Sequence, residues 1–222
     1  MNSKPNLEPS PELSYLLGVR YGDISLPLSE ALTTDYRIRV QVKDKDFAEE
    51  VNYALNTVFE QEYKRVHQDK RGYWCVNISS KTFRDYLRLP FELHKLQIEY
   101  YPAEFLRGFF DSEGTVHYAR PKANKKAPRI TAVCTDREVL DYTKELLEKF
   151  FSINSVIRSP EYCKKRIGKS VILSDGRVVT ATKILYTLRV YKLKDLTIFF
   201  YEIGFSIMRK QTKLEVGLSV LP

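Results

Sequence analysis

Two short stretches place acids where their surroundings make them costly. YLLGVRYGDIS, from Tyr15 to Ser25, ends around Asp23, and FLRGFFDSEGT, from Phe105 to Thr115, ends around Asp111 and Glu113. Each begins as an apolar helix, so the acids fall near a helix C-terminus, where unpaired carbonyls already make the field negative. Gly18 and Gly108 add a cost of about 1 kcal/mol each relative to alanine in a helix interior. Positions i and i+4 share a helix face, so Gly18 with Gly22, and Gly108 with Ser112, make two flat strips that allow close helix packing. Helices pressed together there bring Asp23 beside Glu113, next to main-chain carbonyls. Such a cluster needs a partner, and carboxylates, carbonyls and water are the donors that Mg²⁺ accepts.

The two stretches belong to a longer repeat. With Asp23 set against Glu113 the offset is 90 residues; YRIRVQVKDKDFAEEVNYALNTVF then resembles PRITAVCTDREVLDYTKELLEKFF at an offset of 92. Further on, YWCVNISSKTF resembles YTLRVYKLKDL. The chain is an internal duplication. Each half reads as helix, strand, strand, helix, strand, strand, helix, which predicts an α+β fold. Alternation marks the strands: Ile38, Val40 and Val42 take one face, and Arg37, Arg39, Gln41 and Lys43 the other. Asp46 and Asp136 are the expected N-caps of the intervening helices. The expected organisation is a flexible tail over 1–10, a first half over 11–87, a linker over 88–101 and a second half over 102–222. Asp175-Gly176, between β-rich flanks, predicts a hairpin inserted only in the second half.

Composition narrows the function class. The 222 residues are 43% hydrophobic, enough for real cores, and carry a formal charge of +8 at a sequence pI of about 9.2, which points to an anionic partner such as nucleic acid. No apolar run approaches the roughly 20 residues of a membrane helix, and the N-terminus lacks a secretory signal. A soluble intracellular protein, cytoplasmic or organellar and without a membrane partner, is expected. Three cysteines without a CxxC pair and three scattered histidines indicate neither a disulfide framework nor a zinc site.

YLLGVRYGD and FLRGFFDSEG resemble the two LAGLIDADG motifs of a single-chain homing endonuclease of the archaeal or organellar, intron-encoded type. The second motif matches through Leu106, Gly108, Asp111, Glu113 and Gly114. The first departs from the pattern, with Ile24 in place of the closing glycine and Arg20 and Tyr21 in place of the usual apolar and acidic residues. The resemblance implies two pseudo-twofold-related αββαββα halves, each with a mostly antiparallel four-stranded sheet contributing to a DNA-binding saddle, and the motif helices packed at the centre. It implies Asp23 and Glu113 as metal-binding catalytic acids, with Asp111 in a supporting role, Gly22 and Ser112 carbonyls as further ligands, and Gly18, Gly22, Gly108 and Ser112 at the helix interface. Mg²⁺ or Mn²⁺ is the implied cofactor, with Ca²⁺ supporting binding without cleavage. Basic or amide side chains near the attacking water are also implied; Gln41, Lys43 and Lys192 are the candidates here.

A β-ribbon fits the DNA major groove, and strand positions with the parity of the acids are the expected contacts. In the first half these are Ser25, Arg37, Arg39, Gln41, Lys43, Asn77 and Ser79, with Cys75 on the same face. In the second they are Thr115, His117, Arg129, Thr131, Thr187, Arg189 and Tyr191. Arg120, Lys122, Lys125, Lys126, Lys164 and Lys165, from basic segments without an acid, suit phosphates, and Arg158 and Arg177 are further expected DNA contacts. The expected activity is metal-dependent double-strand cleavage of a long, asymmetric DNA site by a monomer. An RNA maturase that binds intron RNA, and a non-cleaving DNA-binding descendant, are the competing readings.

Overall fold

Ser10 opens the first helix by accepting the Leu13 N–H at 3.1 Å, and Pro11 supplies its first residue. This helix, α1 (Pro11–Arg20), is buried continuously from Leu13 to Val19, so it is a central element rather than an amphipathic surface one. The computed structural model describes residues 4–26, 36–118, 127–158, 167–168, 170–172, 178–180 and 182–219. The chain divides into two compact units, Met1–Glu113 with Phe200–Glu215, and Gly114–Phe199 with Val216–Pro222.

In the first unit α1 is followed by β1 (Ile24–Ser25), β2 (Arg37–Val42), α2 (Lys45–Val58), β3 (Val66–Gln68), β4 (Trp74–Ser79), α3 (Lys81–Leu87), α4 (Phe91–Tyr100) and α5 (Pro102–Glu113). The sheet order is β1-β2-β4-β3, all antiparallel. Ile38, Val40 and Val42 face the core, where α2 lays down Phe47, Ala48, Val51, Ala54, Leu55 and Val58. The N-cap of α2 is Asp44 rather than the expected Asp46. Asp46 instead sits inside the first turn and accepts the Met208 N–H at 2.6 Å, so its carboxylate serves a tertiary contact. The expected linker is largely the helix α4. Asn6 N–H bonds Val58 O at 2.7 Å and Pro5 is buried, so the described part of the N-terminal stretch is held against α2.

The second unit contains β5 (Gly114–Tyr118), β6 (Pro128–Cys134), α6 (Arg137–Phe151), β7 (Val156–Ile157), β8 (Ser170–Ile172), β9 (Val178–Thr180), β10 (Tyr186–Val190) and α7 (Leu193–Ile198). Its main sheet runs β5-β6-β10-β7, antiparallel throughout, and β8 pairs with β9 on either side of the expected hairpin turn. Asp136 caps α6 as expected, accepting from Glu138 N and Val139 N. A π-helical turn (Phe199–Ile203) follows α7, and α8 (Met208–Ser219) closes the described chain. The protein is mixed α+β with two four-stranded antiparallel sheets. No helix among the described residues is long and apolar enough to cross a membrane.

Candidate metal centre and nucleic-acid interface

Within the first unit α1 and α5 meet backbone to backbone. A Cβ added to Gly18 would stand 2.2 Å from Phe105 O and 2.6 Å from Phe109 N, and one added to Gly108 would stand 2.2 Å from Tyr15 O. All three distances are far inside van der Waals contact, so neither position has room for a side chain. At the C-terminal end a Cβ on Gly22 would meet Ser112 Cβ at 2.2 Å and Glu113 Cγ at 3.3 Å. Gly22, the residue before Asp23, thus packs closely against the end of α5 that carries Glu113, and the two acids are near enough for Asp23 to act electrostatically on Glu113. α1 closes with Gly22 N–H and Asp23 N–H both on Val19 O, at 3.1 and 3.0 Å, fixing the turn that carries Asp23.

The electrostatics of this spot are unfavourable without a cation. Burial, and after it the charge of Asp23, raise Glu113 to about 7 against the opposing charge of Lys210. Asp23 rises to about 6 through burial, again opposed by Lys210. The donor set fits a hard divalent cation: two carboxylates close enough for the charge of one to raise the other, with the Gly22 and Ser112 main-chain carbonyls immediately before them in sequence. Among the described residues no group of three or more His, Cys, Asp and Glu side chains could hold a metal, so a cation there would complete its shell with carbonyl, water or ligand oxygens.

Beneath the pair lies a network that the spacing of the motifs did not reveal. Asp111 is 1% exposed, and burial raises it to about 6. Its Oδ2 accepts from Tyr15 OH at 3.1 Å, Ser206 N at 3.3 Å and the Ser206 hydroxyl, while Oδ1 is buried with no hydrogen-bond partner. Lys210, from α8, donates to Phe110 O at 3.1 Å and to Asp111 O, on the last turn of α5. Nothing local in YEIGFSIMRKQTK marks Lys210, because its partners lie about a hundred residues away in sequence.

The β2 face follows the expected alternation: Arg37 and Arg39 are exposed, Gln41 is half-buried and Lys43 is exposed beyond the strand end. Register sets Arg39 between Ser25 and Asn77, and Arg37 beside Ser79. The face is not free of acid, however. Asp69, from the β3–β4 hairpin, accepts Gln41 Nε2 at 2.6 Å and lies 3.9 Å from Arg39 and 3.3 Å from Arg71. Cys75 shares this face but is covered, with Arg39 Nη2 at 3.4 Å from its sulfur. His67, opposite Cys75, joins the row and was not expected there.

In the second unit Thr115 is exposed, and His117, Arg129, Arg158 and Arg189 are half-buried. Thr115, Thr131 and Arg189 form one row across the strands, and His117 pairs with Arg129. Thr131 and Thr187 are corrections: they have the expected parity but are only 8% and 5% exposed, so neighbouring side chains cover them. Tyr191 is exposed, and Lys192 is exposed as the N-cap residue of α7. Arg120, Lys122, Lys125, Lys126, Lys164, Lys165, Arg177 and the Asp175-Gly176 turn lie outside the described residues.

A family model for a LAGLIDADG-like domain matches residues 101–204. An uncharacterized protein of Methanocaldococcus jannaschii, MJ0398, is 35% identical over 213 residues, covering 95% of this chain and 72% of the relative. A second from the same organism, MJ0314, is 32% identical over 175 residues, covering 73% of this chain but 61% of that protein. Among solved structures, I-DmoI in complex with DNA and Ca superposes with a TM-score of 0.57 at 15% identity, covering 93% of this chain and 97% of that one. Full-length DUF199/WhiA from Thermatoga maritima gives 0.57 at 16% identity, covering 97% of this chain and 62% of that one. At such identities the structural likeness establishes the fold.

Proposed function

Since the chain belongs to the LAGLIDADG-like family, we propose that it is a site-specific endonuclease that uses a divalent metal to break both strands of a long, asymmetric DNA target, an intron insertion site. The observation that carries this reading is the meeting of Asp23 and Glu113 at the glycine-packed helix ends, where each raises the need for a cation. I-DmoI, which shares the fold, has been crystallised with DNA together with Mn or Ca.

A bound divalent cation would supply Lewis-acid activation of water and neutralise charge developing on the phosphate. The chain's own residues do the rest. Asp23 and Glu113 hold the cation, with Gly22 and Ser112 carbonyls beside them. Gln41, on β2 and anchored through its amide nitrogen by Asp69, keeps its carbonyl oxygen available to orient a water or a base edge. Ser25, Arg37, Arg39, Asn77 and Ser79 supply base and phosphate contacts along one sheet. One observation favours a second reading, DNA binding without cleavage: Lys210 already supplies a positive charge to both acids.

Asp23→Asn and Glu113→Gln separate the two readings. Each is expected to abolish double-strand cleavage while duplex binding in Ca²⁺ persists, measured by gel shift. Retained cleavage in both variants would remove Asp23 and Glu113 from the mechanism. A wild-type protein that binds duplex but never cuts it would favour the binding-only reading.

A further inference from the structure

We propose that Lys210 is a built-in counter-charge that lowers the intrinsic affinity of the Asp23–Glu113 pair for a divalent cation, so that the pair resists filling with metal in the absence of nucleic acid. The inference rests on the metal reading of these two acids and adds a residue to it from outside both repeated motifs.

The position of Lys210 is built rather than incidental. A lysine is almost never so buried unless its charge is matched, and Lys210 is 7% exposed. Its ammonium lies on the Phe110 and Asp111 carbonyls, where the α5 dipole is most negative, two residues before Glu113. The neighbouring residues of α8 are pinned: Arg209 forms a two-bond pair with Asp44, at 3.0 and 2.8 Å, and Met208 N–H bonds Asp46. The first turn of α8 is thereby fixed on α2, and Lys210 is delivered to one place. Burial lowers Lys210 from the ordinary lysine range and Arg209 acts in the same direction, while Asp111, Asp23 and Asp44 oppose them by favouring its charged form.

A fixed positive charge at this place has two opposite effects. It lets two carboxylates share a partly buried spot in the metal-free protein. It also repels any cation that enters, because the charge the cation would neutralise has been partly neutralised already. A phosphate at the site restores negative charge and supplies oxygen donors, so metal and nucleic acid load together.

The sign of the mutational effect tests this, because loss of a merely structural lysine would weaken the site. Mn²⁺ binding to the protein alone would be followed by electron paramagnetic resonance of free Mn²⁺ at about pH 8, where both acids are ionised. Lys210→Met is expected to bind Mn²⁺ about tenfold more tightly than wild type, and Lys210→Arg to stay close to wild type. Equal or weaker binding by folded Lys210→Met would overturn the inference. If that variant does not fold, Asp111→Asn and Asp111→Asn/Lys210→Met, in which opposite charges leave together, give the same comparison and the same two outcomes. Asp23→Asn is the control on the underlying reading: if it binds Mn²⁺ as wild type does, the acid pair is not the metal site and the inference falls with it.

Discussion

Glu113→Gln is expected to stabilise the metal-free protein, and only above mildly acidic pH. The folded protein holds Glu113 near 7 where an ordinary glutamate titrates at 4.5. At about 1.4 kcal/mol per pH unit, that difference amounts to roughly 3 kcal/mol at full ionisation. Relaxation and the shared repulsion with Asp23 reduce the gain expected from one substitution to about 2 kcal/mol. The sign follows from linkage. With a folded pKa above the unfolded one, the folded state binds more protons, so wild-type stability falls as pH rises from about 4.5 through about 7. Glutamine removes the charge and keeps the shape, which flattens that part of the curve. Urea denaturation with a chelator present, at about pH 4 and about pH 8, measures the difference. A gain at the higher pH that vanishes at the lower is expected; the same gain at both, or none at the higher, would refute the electrostatic reasoning.

Gly18→Ala should cost about 3 kcal/mol or more by urea denaturation, since its methyl group would stand 2.2 Å from Phe105 O. Arg39→Ala should relax preference at a few positions of one half-site by about 1 to 3 kcal/mol, read by competitive binding to a target library; a uniform loss across sequences would make Arg39 a phosphate contact. Asp69→Asn should keep the hairpin, because an amide oxygen can still accept the Arg71 and Tyr73 N–H groups that Oδ1 accepts now, yet lower the cleavage rate or alter preference at the same few positions by releasing Gln41 and Arg39 from Oδ2. A variant indistinguishable from wild type in both would show that the Asp69–Gln41 contact does not order the face.

The repeated glycines and acids make the central helices legible in the sequence, because their cost is local and their spacing matches a helix face. Strand alternation likewise marks the outward row on β2. What the sequence leaves hidden depends on tertiary placement. Asp46 looks as good an N-cap as Asp44, and only the contacts to Met208 and Arg209 show how each acid is used. Parity tells which face Thr131 and Thr187 share but not that both are buried. An acid-free β2 segment gives no sign of Asp69 reaching over from another hairpin. Lys210 sits in a basic stretch like many solvated ones, and its role follows from α8 lying across the end of α5.

The most direct measurement is cleavage of a randomised duplex DNA library by the purified protein, in Mg²⁺ and in Ca²⁺, with the product ends sequenced. Cuts on both strands at one long asymmetric sequence, appearing in Mg²⁺ and absent in Ca²⁺, are predicted. Intact duplex in Mg²⁺, retained by the protein under conditions where Asp23 and Glu113 are ionised, would contradict the endonuclease reading.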